Sequence, residues 1–96
     1  MVSEIVSMTV APGQSDAFVE LFRRTAGPYF HSPGCREVRL FRSHDRPEQL
    51  VCLVNWDDVE THKRVRETAA AQQFLSAIWG SFVRQPEIGY YDEEPL

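Results

Sequence analysis

The sequence predicts an α+β fold of the ferredoxin-like kind, a split βαβ with one antiparallel sheet. Three observations predict it. Apolar residues alternate with period two in strand-like stretches rich in β-branched side chains. The period switches to that of a helix after the first and third of these stretches. The resulting order is β-α-β-β-α(α)-β. With 96 residues, 43% hydrophobic and 25% charged, the chain reads as one folded domain, residues 1–96, and not as a disordered segment.

The first strand is "SEIVSMTVAP", closed by Pro12-Gly13. Val6, Met8 and Val10 share one face; Ile5, Ser7 and Thr9 share the other, less apolar but uncharged. In "GQSDAFVELFRRTAG", Phe18, Leu21, Phe22 and Thr25 fall at i, i+3, i+4 and i+7, one stripe of an amphipathic helix. Ser15 is placed to cap it, and Glu20 and Arg24 to pair across one turn. Gly27-Pro28 marks a stop or kink, and "YFHSPG" leads to a turn at Pro33-Gly34.

"CREVRLFRS" and "EQLVCLVNW" form a hairpin around "HDRP". The second of these strands is apolar on both faces. Leu50, Cys52, Val54 and Trp56 line one, Val51 and Leu53 the other. Such a strand is covered on both sides. A single helix layer covers one, and so short a chain has little left for a second layer. A symmetric homodimer, sheet face against sheet face, is the economical cover. Two helices follow, from about Asp58 to Glu67 and from Ala69 to Trp79. The second carries a stripe of Phe74, Leu75, Ile78, Trp79 and Phe82. "EIGYYDEEPL" is a final strand frayed by its acidic tail.

Charge and composition exclude several functions. A net charge of −4 with ten scattered Lys and Arg argues against nucleic-acid binding. No apolar stretch is long enough for a membrane span, and the N-terminal residues lack the pattern of a signal peptide, which makes the cytoplasm the expected location. Cys35 and Cys52 lack metal spacing and fall out of register across the hairpin, so two buried free thiols are expected.

The densest chemistry is "NWDDVETHKR", Asn55 to Arg64. Its three carboxylates fit a helix start: Asp57 and Glu60 have capping-box spacing, and all three place negative charge at the positive end of the helix dipole. One His and no repeated ligand spacing argue against a metal. His62, three residues after Val59, can face the sheet. It is either a buried structural histidine or an acid/base group suited to neutral pH. Trp56 is a core residue or a pocket wall whose indole N–H reaches a ligand. Asn55, on the other face, is a polar handle or a strand end. Tyr29, Phe30 and His31 follow the helix break and form either a pocket mouth or packing under a loop. His44 sits in the hairpin loop, where solvent is its expected partner. Arg39 and Arg42 lie on opposite faces of their strand, one of them a candidate interface partner.

"SPGCREVRLFRSHDRPEQLVCLVNWDDVETH" resembles the centre of the antibiotic biosynthesis monooxygenase family. The shared features are Pro33-Gly34-Cys35 entering a strand, Trp56 closing the hairpin, Asp57-Asp58, and Glu60 with His62. The resemblance implies a ferredoxin-like fold paired into a dimeric α+β barrel. It also implies a cofactor-independent monooxygenase acting on a small aromatic, quinol or polyketide-derived substrate, with no metal. Two features depart from the family pattern. Val65 stands where many members carry a second His. The Asn, Trp and later His of the heme-degrading branch are missing, which disfavours heme cleavage. On this reading His62 is the catalytic acid/base group. Trp56 and Asn55 orient the ligand, Tyr29, Phe18 and Phe22 form walls, and His31 is a further ligand contact. The alternatives on the same scaffold are a non-catalytic barrel that binds a small ligand, and a cyclase or isomerase.

Overall fold

The structure is a computed structural model that describes residues Met1–Leu96. The elements run β1 (Val2–Thr9), α1 (Ser15–Thr25), α2 (Gly27–Phe30), β2 (Cys35–Arg42), β3 (Gln49–Trp56), α3 (Val59–Arg66), α4 (Ala69–Trp79) and β4 (Glu87–Tyr91). The four strands form one antiparallel sheet in the order β2-β3-β1-β4. This is the predicted split βαβ. The helices cover one face of it.

Strand parity decides what that face contains. Val2, Glu4, Met8, Leu50, Cys52, Val54 and Trp56 are buried beneath the helices, as the alternation requires. They meet Phe18 and Phe22 of α1, Tyr29 of α2, Val65 of α3, and Phe74 and Ile78 of α4 in one apolar core. The opposite face has no layer of its own. It presents Ile5, Leu53, Val51, Phe41 and Tyr91, with Phe41, Val51 and Tyr91 exposed. Arg39 lies there too, its guanidinium 5.0 Å from the centre of the Phe41 ring. Arg42 points the other way and holds Asp16 of α1 at 2.8 Å.

The helix ends correct several local expectations. Ser15 is the first residue of α1, not its cap. Gln14 holds the cap position, and the Ser15 hydroxyl donates to the Pro47 carbonyl, tying α1 to the hairpin loop. Glu20 pairs with Arg23 at i+3 and not with Arg24. The cap of α3 is Asp58, whose carboxylate accepts the Thr61 N–H at 2.7 Å. Asp57 is taken by Arg36 of β2, 2.5 Å away, so no capping box forms with Glu60. Thr68 caps α4 and separates it from α3. Phe82 lies beyond the end of α4, on a segment that returns to bridge Val10. Cys52 is buried, but Cys35 is only half-buried; both thiols are free.

Gly34 explains the Pro-Gly turn before β2. Its φ is +92°, and a Cβ there would overlap the Thr61 side chain. Its carbonyl accepts the Asp57 N–H at 2.9 Å. The turn therefore packs directly on the β3–α3 junction, and only glycine allows both the backbone angle and the approach.

Candidate functional site

The site begins with an anomaly of parity. Glu4 stands on the helix-covered face of β1, in line with Val6 and Met8, and is 6% exposed. An isolated carboxylate in such a place is costly unless it is hydrogen-bonded. Its partner is Trp56, diagonal to it on β3, whose indole Nε1–H donates to Glu4 Oε1 at 3.0 Å. His62 Nε2 lies 3.5 Å from the same oxygen.

His62 does point inward. It falls on the face of α3 that buries Val65. Its ring lies over the Trp56 indole, with centroids 4.8 Å apart. Nδ1 is 2.5 Å from the Tyr90 hydroxyl on β4, and Nε2 is 3.2 Å from the Tyr29 hydroxyl on α2. Every buried polar side-chain atom has a partner. Five side chains from β1, α2, β3, α3 and β4 thus form one polar cluster: Glu4, Tyr29, Trp56, His62 and Tyr90.

Burial governs the charges in this cluster. It raises the Glu4 carboxyl above the usual carboxylate range, against the opposing effects of the Trp56 hydrogen bond and the Arg66 charge. Burial also lowers His62 to about 4, with Arg66 pushing in the same direction. The Tyr29 phenol is pushed well above its ordinary value, first by burial and then by the Glu4 charge. His62 is therefore neutral at neutral pH, with one ring nitrogen donating and the other accepting.

An apolar cleft of about 80 Å³ opens beside the cluster. Glu4 and Tyr29 lie in its wall, with Phe22 and Phe30; α4 forms its roof through Phe74 and Ile78. Trp79 of α4 and Ile88 of β4 also line it and stay exposed. Glu4 is the one carboxylate in this lining.

The residues singled out in the sequence divide accordingly. Tyr29 and Phe22 line the cleft. Trp56 and His62 are fully packed behind it and reach it through Glu4 and Tyr29. Phe18 is buried against Phe22 and Phe82 and does not line the cleft. Asn55 is on the open face of the sheet, where it accepts from the Ser3 hydroxyl at 2.6 Å and donates to Glu37. His31 is exposed at the C-terminal end of α2. Glu4 and Tyr90 were not singled out. Parity alone would have found Glu4, a lone acid in register with the apolar face of β1. Tyr90 has no local signal, because its place depends on β4 pairing with β1 across the whole chain. No three His, Cys, Asp or Glu side chains lie together as a metal site, and no helix is long and apolar enough to cross a membrane.

Comparison with known proteins agrees with this architecture. A candidate antibiotic biosynthesis monooxygenase from Bordetella bronchiseptica superposes with a TM-score of 0.87 at 28% identity, over 98% of this chain and 97% of that one. SnoaB, a cofactor-independent oxygenase from Streptomyces nogalater, superposes with a TM-score of 0.86 at 22% identity, over 99% of this chain and 94% of SnoaB, and so shares the fold. A candidate antibiotic biosynthesis monooxygenase from Nitrosomonas europaea gives 0.84 at 19% identity, over 97% of this chain and 98% of the other. No curated protein sequence matches the chain. The family model for antibiotic biosynthesis monooxygenases matches residues 1–77, from the strand that carries Glu4 through most of the helix that roofs the cleft, and the chain belongs to that family.

Proposed function

We propose that the protein, as a single domain, is a cofactor-independent monooxygenase for a small electron-rich aromatic, quinol or polyketide-derived substrate. It works as a homodimer joined through the open face of its sheet. The observation that carries this reading is Glu4: one buried carboxylate, backed by a neutral imidazole and an indole N–H, in the wall of an apolar cleft.

The chemistry follows from that placement. Glu4 takes a proton from the substrate's phenol, enol or activated methylene. Its raised pKa brings it closer to the range in which a general base operates. The electron-rich anion reacts with dioxygen, forming a carbon–oxygen bond and a peroxide, which takes up one proton. Loss of a second proton from the same carbon breaks the O–O bond to give a carbonyl and hydroxide, and the hydroxide takes a proton to become water. The sum is CH₂ plus O₂ to C=O plus H₂O. Trp56 fixes the carboxylate through its N–H, and the Tyr29 hydroxyl is placed to stabilise an oxyanion. His62 passes the proton on behind Glu4. The cleft of about 80 Å³ is smaller than the roughly 150 Å³ that holds a benzene ring, so a ring enters as Trp79 or Ile88 swings aside. Both side chains are exposed and free to do so.

Oxygen uptake with anthrone and a panel of hydroquinones tests the proposal. Wild type is expected to consume oxygen and form quinone, and Glu4→Gln to lose roughly a hundredfold in kcat with KM little changed. No uptake, but tight binding of these compounds by calorimetry, would instead mark a ligand-binding barrel. Product formed without oxygen would mark a cyclase or isomerase.

A further inference from the structure

The polar cluster has one member that reaches water. Trp56, His62, Tyr29 and Glu4 are 0%, 2%, 4% and 6% exposed, whereas Tyr90 is 36% exposed. Tyr90 sits on the edge strand β4, directly opposite Glu4 on β1, with its side chain on the helix side of the sheet. Its hydroxyl bonds to one nitrogen of His62, and the other nitrogen of His62 faces Glu4 and Tyr29. Tyr90 adds nothing to the cleft lining, so contact with substrate does not explain its placement.

We infer that Tyr90 is the solvent-side end of a proton path joining Glu4 in the cleft wall to bulk water through His62. The inference rests on the reading of Glu4 as the base. With the resting imidazole proton on Nδ1, donated to the Tyr90 oxygen, the Nε2 lone pair faces Glu4. A substrate proton on Glu4 passes to Nε2, the Nδ1 proton moves to Tyr90, and the Tyr90 hydroxyl releases its own proton to water. One proton enters and one leaves; Glu4 returns to its carboxylate, and His62 and Tyr90 end neutral. The tautomer is now reversed. The same steps run backwards deliver a proton from water to the peroxide or hydroxide, and this restores the tautomer.

The groups facing His62 favour passing a proton on over storing it. They are Glu4 from β1, Tyr29 from α2, Tyr90 from β4 and Arg66 one turn along its own helix. Arg66 and burial both oppose an imidazolium. The Glu4–His62 separation of 3.5 Å is the long step, of the kind that shortens when a substrate compresses the site. Tyr90 lies on the sheet side opposite the proposed dimer face, so pairing of the sheets leaves it open to water.

Tyr90→Phe keeps the ring and removes the hydroxyl. Two measurements on the full chain test the path. The first needs no substrate: in ¹⁵N-labelled protein the His62 ring nitrogens should report the Nδ1–H tautomer, and Tyr90→Phe should shift the Nδ1 signal and redistribute the tautomers. Unchanged ring signals would overturn the inference. The second uses oxygen uptake with anthrone. Tyr90→Phe should lower kcat roughly tenfold with KM unchanged, and added imidazole, a diffusible proton carrier, should restore turnover. Full kcat in Tyr90→Phe would overturn the path while leaving the oxygenase reading intact. If wild type fails to consume oxygen, the oxygenase reading falls, and the imidazole signals alone decide whether the hydrogen-bonded path exists.

Discussion

The two faces of this sheet are built from alternate residues of the same strands, yet they solve opposite problems. The helix-covered face has paid for one buried acid by surrounding it with an indole, an imidazole and two phenols on other elements. The open face pairs its polar groups with immediate neighbours in the sheet. Asn55 bonds Ser3 and Glu37 on the neighbouring strands, and Arg39 stacks on Phe41 two residues along. Adjacent residues in β3 fall on either side of this divide. Trp56 is fully buried and holds Glu4, whereas Asn55 is half-buried among exposed neighbours. Both faces join residues far apart in sequence, and what separates them is water: the Glu4–Trp56 bond is buried, whereas Asn55 bonds Ser3 and Glu37 on a face that no helix covers.

The largest test of that contrast compares Trp56→Ala with Asn55→Ala in urea unfolding. Trp56→Ala removes a buried ring and leaves Glu4 without its donor. A loss of about 4 kcal/mol is expected, against under ~1 kcal/mol for Asn55→Ala. Equal losses would erase the distinction between the faces.

The next largest effect is in pH. The folded state lowers His62 from 6.5 to about 4, so the native state binds fewer protons than the unfolded chain between those values. This contribution is fully present above pH 6.5 and is lost as pH falls through about 4, for a total of roughly 3 kcal/mol. Glu4 has the opposite sign: its pKa is raised, so its contribution is present at low pH and lost as pH rises through the raised value. Denaturation midpoints from pH 8 to 4 should therefore fall on the acid side, and His62→Phe should flatten that limb. An unchanged acid limb in His62→Phe would show that the fold does not depress the imidazole pKa.

The smallest of the three effects concerns the open face. Leu53→Asp puts a charge at its centre, and sedimentation should show dimer dissociation roughly a hundredfold weaker in affinity, about 2.7 kcal/mol. The spectrum of the folded monomer should be retained. A wild-type chain that sediments as an ideal monomer at micromolar concentration would remove the dimer altogether.

Most of the fold was legible because its signals are local. Period two and period 3.6 place every strand and the long helices, and the doubly apolar β3 points to a second face that needs cover. The errors came where two neighbouring residues compete for one role. Asp57 and Asp58 both suit a cap, and Arg36, 21 residues earlier, takes the first and leaves the second. The site was legible only in half. His62 was found because its spacing from Val59 turns it inward, and Tyr29 because it follows a helix break. The break proved to be a further turn of helix, which buries Tyr29 and leaves His31 exposed. Phe18 and Phe22 share one stripe, and only the position of the cleft along α1 separates them. Tyr90 was out of reach because strand order is a property of the whole chain.

That strand order also bears on when the site comes into being. Glu4 meets Trp56 across 52 residues, and His62 meets Tyr90 across 28. No hydrogen bond of the cluster lies within a contiguous fragment of hairpin length. β4 is a five-residue edge strand hydrogen-bonded only to β1. Such non-local pairings close late, because the loop entropy is lost before the contact is gained. A folding intermediate with β1, β2 and β3 assembled would hold Glu4 and Trp56 together while His62 still lacked Tyr90. Competence for proton exchange with water would then emerge in the final docking step, and its appearance in refolding would time that step more sharply than helix content could.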